Sequence, residues 1–233
     1  MKKISCIISA YNEGPRIGNV LKAVSNHPLI DEVIVVDDAS SDNTSEEALK
    51  FKDIRIIRHE KNKGKTRSML DGCNNTENDL VMFLDADLID LTPDNISQLA
   101  KPVLNGSVDM SIGMVKHDSK MYIIATITGH GAFSGQRAMK KEIALENLKK
   151  VQGYGAEAVI NQYVLDNNMK FIVVNWLNVK ATFRLKEMSV RESINSLQKT
   201  FRDIFLVVSP FKFIKQLILM RKLSAKYEKN IKI

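Results

Sequence analysis

Leu80-Val81-Met82-Phe83-Leu84-Asp85-Ala86-Asp87 decides how this 233-residue chain is read: five apolar residues run straight into two carboxylates spaced two apart. An apolar run without polar alternation is what a strand buried on both faces requires, and such strands belong to parallel sheets covered by helices. Residues two apart in a strand point to the same side, which predicts that Asp85 and Asp87 share a face at its carboxyl end. Oxygen-only ligands of this kind suit Mg2+ or Mn2+, which keep waters and complete their shell with substrate phosphates. Two solvated turn aspartates are the structural alternative, but they suit a polar loop better than the end of such a run.

Outward from this stretch, apolar β-branched runs predict further strands over residues 4–9, 33–36, 54–58 and 108–115. Helical stretches fall between them at 16–26, 44–50, 65–73 and after Pro93, a residue suited to a first helical turn. In the first of these helices Ile17, Val20, Leu21 and Val24 share one face. Strands alternating with helices predict an α/β fold with a Rossmann-like, mostly parallel central sheet, which binds ligands beyond the carboxyl ends of its strands. Those ends carry Tyr11-Asn12-Glu13, Asp37-Asp38 and Asp85-Ala86-Asp87. Tyr11 can offer a ring face to a planar base and Glu13 can accept from ribose or base donors; an ordinary strand-to-helix turn is the plainer reading. Asp37 and Asp38 repel one another with no neutralising group nearby in sequence, whereas Asp42 and Asn43 can simply cap the next helix.

The charge balance excludes one class of partner. The chain holds 34 Lys and Arg against 27 Asp and Glu, a formal charge of +7. From position 184 onward there are 12 basic and 4 acidic residues (12 − 4 = +8), leaving 22 and 23 in the first 183 (22 − 23 = −1). A nucleic-acid binder spreads its basic residues over the folded body, so no nucleic-acid partner is expected. Cys6 and Cys73 provide neither a disulfide framework nor metal-ligand spacing, which suits a reducing cytoplasm. The basic start resembles a signal peptide, but its short apolar stretch reaches Asn12-Glu13 without a small-residue cleavage site, so no leader is expected. No run of about 18 apolar residues predicts a spanning helix.

Ile8 through Glu13, Val36 through Thr44, Asn62-Lys63-Gly64-Lys65 and Phe83 through Asp87 resemble, in this order, the family 2 nucleotide-sugar glycosyltransferases with the type A glycosyltransferase fold. The resemblance covers roughly residues 4 to 185. It implies that Ser9, Tyr11, Glu13 and Asp38 hold a nucleoside, most often uridine, and that Asp38 reads a base donor. Gly64 and Lys65 would lie against the nucleotide, with Lys65 balancing Asp38 or the diphosphate. Asp85 would contact ribose, and Asp87 would carry the Mg2+ or Mn2+ that neutralises the leaving diphosphate.

The later part of the resemblance is looser. Phe133-Ser134-Gly135-Gln136-Arg137-Ala138 looks like the family's acceptor-side strand, and Gly153-Tyr154-Gly155-Ala156-Glu157 like a segment of dolichol-phosphate-mannose synthase-like and glucosyl-phosphoglycerate synthase-like enzymes. Glu157 is the candidate acceptor-side carboxylate, a general base in an inverting enzyme or an orienting group in a retaining one; a helix N-terminal Glu stabilised by the dipole is the alternative. Helices are predicted over 142–150 and through 165, and strands over 171–174 and 177–183. Relatives often place a metal-binding His where this chain has Ala181, which leaves the metal to Asp87, diphosphate and water, or to His130 from another loop. His27, His59 and His117 are expected at the surface or in turns.

The catalytic unit is expected to span residues 1–184, followed by a basic helical tail over 185–233. After Pro210, Phe211, Ile214, Leu217 and Ile218 line one helical face, with Lys212, Lys215 and Lys222 off it, as in a helix lying on an anionic membrane. Packing against the catalytic body or against a second subunit of a homo-oligomer is the alternative. The function expected is transfer of a sugar from a nucleoside diphosphate-sugar, UDP by preference, to a hydroxyl or phosphate acceptor that can be lipid-linked. The expected location is the cytoplasm, with peripheral attachment to the inner face of the plasma membrane. A non-catalytic nucleotide-sugar binding protein is the competing reading. A phosphoacceptor receiver domain also pairs early aspartates with a later one, but it is far shorter and leaves residues 128 to 157 unexplained.

Overall fold

A computed structural model describes residues 3–116, 132–151, 153, 155–181 and 190–228. Among these, eight strands form one sheet and eight helices pack with it. Strands β1 (Ile4–Ala10), β2 (Glu32–Asp37), β3 (Ile54–Arg58) and β4 (Leu80–Asp85) are parallel and lie side by side as β3-β2-β1-β4. The apolar runs of β1, β2 and β4 are buried on both faces because helices cover both, whereas β3, at the sheet edge, is only half-buried. Ile8, Cys6 and Val35 pack toward α1 (Gly14–Val24) and α4 (Pro93–Leu104). Their neighbours Ile7, Ile34 and Val36 pack toward α3 (Lys65–Asn74), α5 (Lys141–Leu148) and α6 (Ala156–Asp166). Cutting Ile7 or Ile8, both almost wholly buried, to Ala would cost about 2–5 kcal/mol in either layer.

Local chemistry fixes several of the element ends. Thr92 caps α4 through a reciprocal box with Asn95, and Pro93 occupies the first helical turn, as its missing N–H allows. Pro15 similarly opens α1, which begins at Gly14 rather than at the expected Arg16. A short α2 (Thr44–Leu49) follows the turn after β2.

The chain runs outward from β1 through β2 to β3, then crosses back to lay β4 on the other side of β1. This reversal creates a crevice at the carboxyl ends of β1 and β4, where open α/β sheets bind ligands. The register brings the predicted residues to it: Ser9 lies opposite Asp85, and Ala10 opposite Asp37.

Beyond β4 the sheet becomes mixed. β7 (Arg137–Lys140) is antiparallel to both β4 and β6 (Met110–Lys116), β8 (Phe171–Ala181) is parallel to β6, and the two-residue β5 (Leu88–Ile89) is antiparallel to β8 at the edge. The two strands expected over 171–174 and 177–183 are one strand. Its pairing with β6 slips between Trp176 and Lys180, and the intervening Leu177 is 74% exposed, which breaks the apolar pattern without breaking the strand. Residues 128–131, the end of the second expected strand and the 184/185 boundary lie outside the described residues.

The tail forms two helices, α7 (Val190–Val207) and α8 (Pro210–Glu228), of which the sequence reading identified the second. Both pack on the body. Ile204, Val208 and Phe213 gather with Ala158 of α6, Met220 is fully buried, and Gln216 Nε2 donates to the Ala158 carbonyl at 2.8 Å. Of the face expected to meet a membrane, Phe211, Ile214 and Ile218 point outward, 79%, 59% and 63% exposed, whereas Leu217 is partly buried and packs against the Ala158, Ile204, Val208 and Phe213 cluster. Packing on the body and an exposed apolar face, weighed as alternatives from sequence, coexist on α8. Among the described residues, no helix is long and apolar enough to cross a membrane.

Candidate active site

The crevice holds a cavity of about 540 Å3, lined by eight of the nine predicted site residues: Ser9, Tyr11, Glu13, Asp38, Gly64, Lys65, Asp85 and Asp87. The ninth, Glu157, stands in the first turn of α6 and lines an adjoining cavity of about 280 Å3 with Phe133, Gly155, Thr200 and Ile204. Lys65 and Gly153 line both.

The acidic pair at the end of β2 divides its work. Asp37 is fully buried and structural: it accepts from Arg58 Nη1 at 2.9 Å, from the Ser40 amide at 2.8 Å and from the Ser45 hydroxyl. Asp38 faces the cavity, where its carboxylate accepts from His59 Nδ1 at 2.6 Å and from the amides of Lys63 and Gly64 at 2.8 and 2.7 Å. Gly64 adopts φ 88° and ψ 159°, a region essentially closed to other residues, so the Asn-Lys-Gly turn needs its glycine to aim that amide at Asp38. Asp42 holds the neighbouring turn, accepting from the amides of Gly14 and Thr44 at 3.0 and 3.1 Å.

Lys65 is not the counterion of Asp38. Its ammonium lies 2.5 Å from Asp85 Oδ1 and 3.5 Å from Glu157 Oε1. Burial works against that charge, but the nearby Asp85 and Glu157 carboxylates outweigh it and hold the Lys65 pKa well above the usual lysine value. The other oxygen of Asp85 accepts from Gln136 Nε2 at 2.8 Å. Glu13 is buried and pairs with Arg16 at 2.6 Å, while Tyr11 is 40% exposed at the cavity wall. The Ser9 hydroxyl is buried with no hydrogen-bond partner among the described residues.

The donor set has limited means of holding a cation. No group of three or more His, Cys, Asp or Glu is placed for a metal among the described residues. Ala181 pairs with Leu88, next to Asp87, so an inert methyl stands where relatives are expected to have imidazole; His130 lies outside the described residues. One carboxylate, Asp87, with substrate phosphates and water does fit Mg2+ or Mn2+ arriving with a diphosphate.

Two histidines differ from expectation. His27 and His59 are buried, 5% and 6% exposed. His27 bonds the Pro93 carbonyl at 3.0 Å, tying the α1 end to α4, and burial lowers its pKa. His59 belongs to the site through Asp38. His117 lies outside the described residues.

Other site residues were missed from sequence. A Cβ on Gly135 would fall 2.6 Å from Lys65 Nζ and 2.8 Å from the Asp85 oxygens, so glycine lets this backbone approach the ion pair. Arg137 is wholly buried and donates to the carbonyls of Ala132 and Ser134 and to Asn161, fixing the approach to β7; burial pulls its pKa down to about 10, opposed by Glu157 and Asp85. Lys199 of α7 lines the larger cavity and Thr200 the smaller. Gly135, Gln136 and Arg137 stood inside a segment already picked out by resemblance. Lys199 had no local signal, because tertiary packing alone brings it there.

The fold agrees with comparisons to known proteins. The sequence profile of Glycosyl transferase family 2 matches residues 5–166. The dolichol-phosphate mannosyltransferase of Pyrococcus furiosus is 34% identical over 116 residues, 48% of this chain and 32% of that protein. The UDP-N-acetylglucosamine–dolichyl-phosphate N-acetylglucosaminyltransferase of Methanococcus voltae is 32% identical over 131 residues, 48% of this chain and 51% of that protein. The chain thus spans about a third to a half of the length of these relatives. In structure it is similar to glucosyl-3-phosphoglycerate synthase from Mycobacterium tuberculosis, solved with Mn2+, UDP-glucose and phosphoglyceric acid: the TM-score is 0.72 at 21% identity, covering 88% of this chain and 79% of the other. That likeness establishes the type A glycosyltransferase fold. With the profile covering well over half of its length, the chain belongs to glycosyl transferase family 2.

Proposed function

We propose that the protein transfers a sugar from a nucleoside diphosphate, UDP by preference, to a hydroxyl or phosphate acceptor, and that the acceptor is lipid-linked. The observation that carries this reading is the pair of adjoining cavities that share Lys65, one lined by the nucleoside-type residues and the other by Glu157. Tyr11 and Asp38 receive the base, and Ser9, Glu13 and Asp85 the ribose. Lys65 then stands where the diphosphate meets the acceptor, its positive charge assured by Asp85 and Glu157. Asp87 would hold Mg2+ or Mn2+, which supplies charge neutralisation for the departing diphosphate. Lys65 and Lys199 add cationic side chains along the same cavity. Glu157 faces the acceptor and takes the proton of an attacking hydroxyl, or orients a phosphate acceptor that needs no base.

Phe133, Ile204 and the alanines flanking Glu157 give the second cavity an apolar wall, which suits the first units of a lipid chain. Phe211, Ile214 and Ile218, with exposed Lys212, Lys215, Arg221 and Lys222 on the same helix, suit attachment to an anionic surface, each cation adding about 1 kcal/mol. The relatives' names, dolichol-phosphate and dolichyl-phosphate transferases, point the same way. We place the protein at the cytoplasmic face of the plasma membrane, held peripherally.

A screen of nucleotide sugars against polyprenyl phosphate and soluble acceptors, read by nucleotide release, tests the proposal. Turnover with a UDP-sugar in Mn2+ or Mg2+ is expected. UDP binding without turnover of any donor would instead make the chain a nucleotide-sugar binding protein, the reading that Ala181 favours.

A further inference from the structure

His59 is a buried titratable group that the proposed chemistry leaves unused. It follows β3, where its amide donates to the Asp37 carbonyl at 2.9 Å, and its side chain is 3% exposed. The ring is held between two carboxylates: Nδ1 is 2.6 Å from Asp38 Oδ1, and Nε2 is 3.1 Å from Asp71 Oδ2 on α3. Asp71 is itself held by Arg67 Nε at 2.9 Å.

We infer that His59 is a positioning residue that sets base selectivity, by filling one oxygen of Asp38 and leaving the carboxylate a single open acceptor position. The inference rests on the proposed placing of the nucleoside against Asp38. A carboxylate has about four acceptor positions. Asp38 Oδ1 spends two, on His59 and on the Lys63 amide, and Oδ2 spends one, on the Gly64 amide. One position remains, on Oδ2. Uracil and thymine present a single ring N–H between two carbonyls, which one acceptor satisfies. Guanine presents a ring N–H beside an amine and needs two acceptors side by side, so one donor would be left unpaired on binding. Adenine and cytosine present an amine beside a bare ring nitrogen, which turns a lone pair toward the carboxylate. The Asp71–Arg67 pair holds the far side of the ring, so that Asp38 cannot rotate to offer both oxygens.

Calorimetric dissociation constants for UDP and GDP in Mn2+ test this, on the wild type and on His59→Phe, His59→Asn and Asp71→Ala. The wild type should favour UDP by about tenfold or more, the usual consequence of one unpaired donor. His59→Phe fills the space without donating; UDP should weaken by about tenfold, and the UDP-to-GDP ratio should fall toward one. His59→Asn, whose amide can replace Nδ1 as donor, should restore most of the ratio, a rescue that a merely structural role would not produce. Asp71→Ala should shift the ratio in the same direction as His59→Phe, and carries the test if His59→Phe does not fold. An unchanged ratio in folded His59→Phe or Asp71→Ala would overturn the inference while leaving the UDP site standing. Failure of the wild type to bind either nucleotide would overturn it together with the site itself.

Discussion

At the scale of single residues, Lys65 lines both cavities and pairs with Glu157, so that, in the proposed function, one ammonium serves both donor and acceptor. Glu157 lies 3.5 Å from Lys65 Nζ, close enough for charge pairing, yet it lines the smaller cavity rather than the larger one. Glu157→Gln keeps the shape and removes the base. The expected result is a fall in kcat of about 10^2 to 10^4 with UDP affinity within about twofold of wild type; an unchanged kcat would remove Glu157 from the chemistry. Three of the residues singled out from sequence, Asp38, Asp85 and Asp87, share a property: each is a carboxylate at or just past the end of an apolar strand, an oddity visible in one dimension. His59 and Gln136 lacked that signature. An imidazole in a polar turn looks solvated until Asp71, twelve residues on, closes over it.

At the scale of elements, the alternation of apolar runs and helices made β1 through β4 legible, because β1, β2 and β4 are buried on both faces and so nearly all apolar, and the isoleucines of the edge strand β3 stand out beside its two arginines. β5 was not, since two residues carry no period, and β8 was split in two by the exposed Leu177 where its pairing slips. α7 matters most, because it joins the basic tail to the crevice: Lys199 lines the larger cavity, Thr200 and Ile204 the smaller. The tail therefore takes part in the site as well as standing beside it. Lys199→Met should weaken UDP by about tenfold to a hundredfold while leaving uridine binding alone, since a charge-assisted bond to phosphate is worth about 1.5–3 kcal/mol. Equal losses for UDP and uridine, or none, would show that Lys199 does not meet the diphosphate. This can be read by calorimetry on the full chain, whereas deleting α8 would also remove the buried Phe213 and Met220 and uncover Ala158, Ile204 and Val208.

At the scale of the whole molecule, the +7 charge is two separate quantities: a body near −1, whose carboxylates gather at the sheet crevice, and a tail of +8. The tail's cations accompany an outward apolar face on α8, which is the arrangement that binds anionic bilayers. Replacing Phe211 and Ile218 together by Ser should reduce co-sedimentation with phosphatidylglycerol vesicles by about tenfold or more, given about 1.5–3 kcal/mol for each side chain buried. UDP affinity should be retained, as neither residue lines a cavity described above. Equal vesicle binding by the variant would remove the membrane from the account.

The central claim is that the β1–β4 crevice is a nucleoside diphosphate site whose metal arrives with the substrate at Asp87. Thermal unfolding of the wild type and of Asp87→Ala, each with and without UDP and Mn2+, tests it most directly. UDP at a hundredfold excess over its dissociation constant should stabilise the wild type by about 2.7 kcal/mol, a rise in Tm of roughly 5–10 °C, and should need Mn2+ to do so. In Asp87→Ala, Mn2+ should add nothing to the effect of UDP. A wild-type melting curve unmoved by UDP and Mn2+ together would contradict the account.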